Sequence, residues 1–228
     1  MKVGVQITGW GKCLPQRILT NDDLAKRVDT SDEWIRARTG IAARRIADSR
    51  ETTASLAIRA ARSALVVAKL APQKLDLIIV ATATPEFIFP ATACLVQDAL
   101  GAPHAAAFDL SAGCTGFVYA LSVAAQMIQS GAYRNAVVIG AETLSRIVNW
   151  QDRSTCVLFG DGAGAVVLEA SGGGSNFLTS VLGADGSGAD LLMIPGGGSR
   201  HPVTATSFRD GEHYIHMDGR EVYRFATR

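Results

Sequence analysis

Continuous runs of β-favouring residues, each followed by a helical stretch, constrain this chain more than any other feature. The run Asp76-Leu77-Ile78-Ile79-Val80-Ala81-Thr82 has no polar alternation, as expected of a strand buried on both faces. Ala136-Val137-Val138-Ile139-Gly140-Ala141 repeats the pattern, and residues 3–8 and 105–110 read as further strands. Thr52 and Thr53 offer an N-cap for a helix through Lys69, with alanine, leucine and isoleucine on one face and Pro72 closing it. Residues 91–100 read as a short helix stopped by Gly101, and residues 114–130 as a helix of about four turns that Gly131 ends. The alternation predicts an α/β layered fold with a largely parallel sheet.

After Glu142 the pattern changes. A polar loop at 149–155 leads to Phe159-Gly160-Asp161-Gly162-Ala163-Gly164-Ala165 and an apolar strand. The glycines invite a nucleotide-loop reading, but no helix follows, no distant acidic partner is evident and no Walker lysine is present, so they read as packing glycines. Ser171-Gly172-Gly173-Gly174-Ser175 reads as a linker, dividing the chain into residues 1–170 and 171–228. Beyond it come a strand-like run at 178–182, a glycine-rich loop at 183–198 and a helix opening at Asp218 with Val222, Phe225 and Ala226 on one side. That apolar face has nothing following to cover it, so the chain is expected to be truncated in its second half.

Bulk properties exclude more than they assign. At 228 residues the chain suits one large domain or two small ones. A net charge of +1 and 19% charged residues give no global reason to expect nucleic acid or an acidic membrane as partner. The N-terminus lacks a signal-peptide pattern and no run reaches membrane-spanning length, so a soluble, cytoplasmic protein is expected. The four cysteines show no CxxC spacing and none has a histidine at ligand distance, which suggests neither metal nor disulfides but reduced thiols.

One of those thiols stands out. In Asp109-Leu110-Ser111-Ala112-Gly113-Cys114-Thr115-Gly116-Phe117, Cys114 lies between two glycines where a strand gives way to a helix that is apolar almost all round and therefore expected to be buried. The head of such a helix carries unpaired N–H groups and partial positive charge. These stabilise a thiolate and can hold the oxyanion of a tetrahedral intermediate, and Gly113 and Gly116 would admit a substrate carbonyl to the backbone. Packing is the alternative, since free cysteine is among the most buried residue types; it is the reading for Cys13, Cys94 and Cys156, which lack this context.

A second feature is basic. Between Ile35 and Arg50 there are five arginines (Arg36, Arg38, Arg44, Arg45, Arg50) against one acid, Asp48. Guanidinium forks suit phosphate, and arginine faces, like that of Trp34, stack on adenine. A nucleotide-bearing thioester such as coenzyme A would use both; a solvated helix face with an incidental tryptophan is the alternative.

Asp29-Thr30-Ser31-Asp32-Glu33-Trp34-Ile35-Arg36-Ala37-Arg38-Thr39-Gly40-Ile41, the Cys114 turn and Phe159-Gly160-Asp161-Gly162-Ala163-Gly164-Ala165, in this order and spacing, resemble β-ketoacyl-acyl carrier protein synthase III of the thiolase superfamily. Asp152-Arg153 and Met217-Asp218-Gly219-Arg220-Glu221-Val222 match as well. The resemblance implies a thiolase-like layered αβαβα fold, a homodimer, and a condensing acyltransferase of fatty acid biosynthesis. Its substrates would be acyl-CoA and malonyl-acyl carrier protein, with no metal or redox cofactor. It implies Cys114 as nucleophile, Trp34 and Arg153 on either side of the CoA adenine, Thr30 and Arg38 beside it, and other surface arginines for docking acyl carrier protein. Gly219 and Tyr223 would line the pantetheine tunnel, where relatives commonly have phenylalanine in place of Tyr223. Phe89, with Leu158 and Phe159, would shape the acyl pocket and dimer interface; for Phe89 a buried aromatic within its own subunit is the alternative.

The resembled enzymes also use a histidine in a later turn and an asparagine in a Gly-Asn-Thr-Ser stretch. His104, His201, His213 and His216 lack those surroundings, and no such stretch occurs. Condensation by these 228 residues alone is accordingly expected to be lost. Two other functions stay open: a polyketide or quinolone primer synthase on the same scaffold, and a catalytically silent fragment that binds CoA or dimerises.

Overall fold

The computed structural model describes residues 3–173 and 177–227. In chain order the elements are β1 (Gly4–Cys13), β2 (Arg17–Thr20), α1 (Asn21–Ala25), α2 (Asp32–Thr39), β3 (Ala43–Ile46), α3 (Thr53–Ala68), β4 (Leu77–Ala81), α4 (Thr92–Leu100) and β5 (Ala106–Leu110). They continue with α5 (Gly116–Gln129), β6 (Asn135–Thr143), α6 (Arg153–Cys156), β7 (Asp161–Ser171), β8 (Leu192–Met193), α7 (Ala205–Arg209), β9 (His216–Met217) and α8 (Gly219–Ala226). Packing divides them into two compact units, one of Met1–Gln16, Ala47–Thr143 and Asp161–Leu182, the other of Arg17–Ile46, Leu144–Gly160 and Gly183–Arg228. This partition differs in kind from the halves 1–170 and 171–228. Of the expected linker, Ser171 closes β7, while Gly174 and Ser175 lie outside the described residues.

The first unit is built on a five-stranded sheet of order β1-β7-β6-β4-β5. Strand β4 runs parallel to β5 and β6, whereas β7 runs antiparallel to β6 and β1. The sheet is therefore mixed, not largely parallel. Parallel neighbours need a crossover, which α4 and α5 supply, and no long helix separates β6 from β7. The β4 run is buried on both faces as its sequence requires. Ile78 and Val80 pack with Leu56, Ala57 and Ala61 of α3, while Leu77 and Ile79 pack with Ala120, Ala124 and Ile128 of α5. Helix α3 opens with a reciprocal Thr52–Ser55 capping box and ends at Lys69 in the left-handed region. It lies so close to β1 that a β carbon at Gly9 or Gly11 would strike the Ala64 or Ala60 carbonyl oxygen.

Two expectations fail here. Helix α5 is not buried all round: Ala120, Ala124 and Ala125 are buried, but Val118 is exposed and Phe117, Leu121 and Val123 are half-buried, because only one side meets the sheet. Residues 178–182 carry no strand, and Leu178 and Val181 are exposed; a local apolar pattern makes a strand only where a partner edge accepts it.

The second unit is assembled from short pieces. Strands β2 and β3 pair antiparallel from Arg17↔Ile46 to Thr20↔Ala43, and β8 pairs with β9. Leu19, Leu24, Ile35, Ile46, Val148, Cys156, Val157 and Ile215 form its core. The polar loop expected at 149–155 contains α6, capped by the Asp152 carboxylate on Ser154 N.

Candidate active site

Strand β5 delivers the chain to one 3₁₀ turn, Gly113–Thr115, immediately before α5. Gly113 adopts φ +53°, a left-handed conformation that glycine enters without strain. Gly116 has a steric reason of its own, since a β carbon there would lie 3.3 Å from Ala81 Cβ. Between them Cys114 is free and exposed, which removes the packing reading. Cys13 and Cys156 are buried as expected and burial pushes both thiols up; Cys94, expected to pack, is exposed. Among the described residues no side chain caps this turn or the head of α5, and the Thr115 hydroxyl donates backwards to Ala112 O at 2.9 Å. The helix head is thus left to accept an external oxygen.

Two acids at the carboxyl ends of the strands escaped the sequence reading. Asp109, on β5, accepts from Thr92 N and Ala93 N, both at 2.7 Å, and so caps α4. Glu142, near the end of β6, accepts from Ala83 N at 2.8 Å and from the Thr84 hydroxyl. Burial pushes the Glu142 carboxyl above its ordinary value, against the pull of its hydrogen bonds from Thr84, Ala83 and Thr82. An isolated acid inside an apolar run was the available signal.

In the second unit, Ser31 caps α2 by accepting from Trp34 N at 3.1 Å, and Gly40 ends it at φ +72°. This helix presents Trp34 to two cations, with Arg38 Cζ 4.4 Å and Arg153 Cζ 4.8 Å from the ring centroid. Arg153 is steadied by the Asp29 carbonyl oxygen at 2.8 Å. Thr30 Oγ1 is buried and has no hydrogen-bond partner among the described residues. The structure therefore brings Trp34, Arg38 and Arg153 together. An adenine between Trp34 and Arg153 needs two stacking layers of about 3.5 Å, so Arg153 must swing outward to admit one.

Arg44 corrects the basic-patch reading. Its side chain turns inward and is only 6% exposed, donating to Leu19 O, Asn21 Oδ1 and Val157 O instead of facing phosphate. The nucleotide-loop reading of 160–164 stays excluded, because β7 follows directly and a β carbon at Gly160 would lie 3.0 Å from Arg44 Cβ.

The remaining predicted residues are scattered. Gly219 begins α8 behind the Asp218 cap, and Tyr223 on that helix is exposed. Leu158 and Phe159 are half-buried against the second unit's core. Phe89 belongs to the first unit and is 84% exposed, beside exposed Phe87 and Ile88, so it is not a buried aromatic within this chain.

A family model for 3-oxoacyl-(acyl carrier protein) synthase III matches residues 108–186, from β5 and the Cys114 turn through β7. Over 227 residues the chain is 55% identical to the β-ketoacyl-(acyl carrier protein) synthase III of Caldanaerobacter subterraneus subsp. tengcongensis, covering 100% of this chain and 69% of that relative. The chain belongs to the synthase III family. Among solved structures, synthase III from Aquifex aeolicus superposes with a TM-score of 0.87 at 51% identity, covering 97% of this chain and 67% of that one. A priming β-ketosynthase of a polyketide pathway reaches 0.86 at 34% identity, covering 99% and 66%. The thiolase-like α/β fold is thus shared along almost all of this chain, which spans about two thirds of those synthase III proteins.

Proposed function

We propose that this synthase III chain is an acyltransferase that initiates fatty acid synthesis, taking an acyl group from acyl-CoA onto Cys114. Family membership along the whole chain, with an exposed thiol at an uncapped helix head, carries this reading. The sulfur attacks the thioester carbonyl, whose oxygen becomes an alkoxide facing the N–H groups at the start of α5; collapse expels CoA as the thiol and leaves the acyl group on Cys114. In the condensation that follows in a complete site, malonyl-acyl carrier protein loses carbon dioxide, its carbanion forms a carbon–carbon bond with the Cys114 acyl carbon, and the sulfur leaves; the histidine and asparagine expected for that step are absent from these 228 residues, so acyl transfer is the step proposed for them alone. The scheme uses acyl-CoA as substrate and no metal or redox cofactor.

We infer that Trp34 and Arg153, with Arg38 and Thr30, hold the nucleotide end of CoA; the cation–π geometry and the unpartnered Thr30 hydroxyl support this. Gly219 and Tyr223 would flank the pantetheine arm. Phe89, with Leu158 and Phe159, would bound the acyl pocket in a cytoplasmic homodimer. The likeness to a polyketide priming synthase supports a second reading, a primer synthase of different acyl preference, which acyl-chain competition separates from the first.

The test is incubation with acetyl-CoA followed by intact mass and peptide mapping. A gain of about 42 Da at Cys114, absent in Cys114→Ala, is expected for the acyl-enzyme. Folded protein that gains nothing would refute the reading and leave a silent CoA-binding or dimerising chain.

A further inference from the structure

A buried hydrogen-bond chain in the second unit runs between the two helices that present Trp34 and Arg153. Arg44, on β3, donates through Nη2 to both Asn21 Oδ1 and Val157 O at 2.9 Å, and through Nη1 to Leu19 O at 3.3 Å. Asn21, 1% exposed, donates through Nδ2 to Asp32 Oδ1 and Ile41 O, both at 2.8 Å. Asp32 is the first residue of α2, two before Trp34; Val157 caps the end of α6, whose first residue is Arg153. The path Asp32–Asn21–Arg44–Val157 therefore joins the start of one helix to the end of the other. Gly160 adds a steric clamp, because the backbone leaving α6 rests on Arg44 Cβ.

The chemistry of this brace is unusual for a core. Among the described residues Arg44 forms no ion pair, its Nε has no partner, and burial pulls its pKa down. A guanidinium buried without a carboxylate is costly, and only replacement of the whole hydrogen-bonded set by apolar residues would escape that cost, since removing Arg44 alone strands the acceptors it satisfies. What an apolar residue lacks is a planar fork that fixes several acceptors at set angles. Here one acceptor, Val157 O, ends the helix that carries Arg153, and another, Asn21, relays the link to Asp32 at the start of the helix that carries Trp34.

We infer that Arg44 and Asn21 are positioning residues for the nucleotide site: they set the spacing of α2 and α6 and so hold Trp34 and Arg153 in register. The inference rests on the reading of Trp34 and Arg153 as the adenine site. It makes nucleotide affinity depend on two buried residues that never touch the ligand.

Calorimetric titration with CoA, paired with Cys114 acylation by acetyl-pantetheine, which has no nucleotide, tests it. Arg44→Met and Asn21→Ala should each weaken CoA binding about tenfold, the scale of a small misplacement, while acylation by acetyl-pantetheine stays at the wild-type rate. Arg44→Lys, which keeps charge but loses the fork, should not rescue. Wild-type CoA affinity in folded Arg44→Met or Asn21→Ala overturns the inference. So does an equal loss toward acetyl-pantetheine, which marks a general structural role. If Arg44→Met does not fold, Asn21→Ala decides, since it leaves the Arg44 bonds to Leu19 and Val157 in place. Trp34→Ala is the control: unchanged CoA affinity there sinks the adenine reading itself, whereas a loss in Trp34→Ala alone sinks only the brace.

Discussion

The two units build their candidate sites from different material. In the first, backbone direction does the work: a strand end, a 3₁₀ turn with one left-handed glycine and an uncapped helix head present Cys114, and alanines and glycines let helix and sheet approach closely. In the second, elements of two to eight residues are held by side chains, with Thr20, Ser31, Asp152 and Asp218 capping helices and Arg44 and Asn21 tying segments together. Close backbone packing tolerates no added atoms, whereas polar bracing tolerates no lost donors. Each unit should therefore fail by the opposite kind of substitution.

The largest effect is expected where β1 meets α3. Gly9→Ala and Gly11→Ala place a methyl group against helix carbonyls that cannot rotate away, and each should cost about 3 kcal/mol in urea unfolding. Gly164→Ala, on β7 with nothing near its β carbon, should stay within about 0.5 kcal/mol. A small loss at Gly9 would break the contrast between the units. Next comes Gly113→Ala, which meets no neighbour but strains a residue at φ +53°, costing about 1–2 kcal/mol. Because relaxation of that strain turns the next residue, Cys114 acylation should slow about tenfold or more in folded protein; an unchanged rate would show that the turn does not aim the thiol. In the second unit Asp152→Ala removes the α6 cap, where the carboxylate accepts from Ser154 N, Ser154 Oγ and Thr155 Oγ1. About 1 kcal/mol should be lost, and no change would mean that α6 is held by packing alone.

The same division explains what could be read in advance. The apolar runs of β4 and β6 and the Thr52 cap are local signals, and the structure places them within a residue or two of expectation. Strand direction leaves no periodic trace, so the antiparallel turn of β7 was missed. Strands β2 and β3, each four residues long, are too short to show alternation. Among the site residues, Cys114 was legible because glycines and a helix start surround it in sequence. Trp34 was legible through its arginine neighbours, but the same charge count misled at Arg44. A run of arginines carries no information about which one turns inward; that is decided by acceptors at Leu19 and Val157, 25 and 113 residues away.

The smallest predicted effect concerns two carboxylates, Glu142 in the first unit and Asp152 in the second, which are shifted in opposite directions. Burial raises Glu142, so the folded protein binds that proton more readily than the unfolded chain does, and stability falls as pH rises from the ordinary glutamate value through the raised one. For Asp152, burial pushes upward, yet the Ser154 and Thr155 hydroxyls and Ser154 N together hold the carboxyl below its ordinary value. Its contribution is present above the ordinary aspartate value and is lost as pH falls through the lowered one. Glu142→Gln should therefore flatten the decline above about pH 4.3, while Asp152→Asn should flatten the acid limb below about pH 3.9. The glutamine can be accommodated. Thr84 Oγ1 already accepts from Thr143 N, and on turning its own hydrogen toward Thr53 Oγ1, 3.5 Å away, it can accept from the new amide while Ala83 N keeps its oxygen. Urea midpoints measured across that pH range would show two slopes of opposite sign, each lessened by its own substitution, with Asp23, Asp32, Asp48 and Asp185 keeping part of the acid limb; equal slopes in wild type and Glu142→Gln would mean that this carboxyl titrates as it does in the unfolded chain.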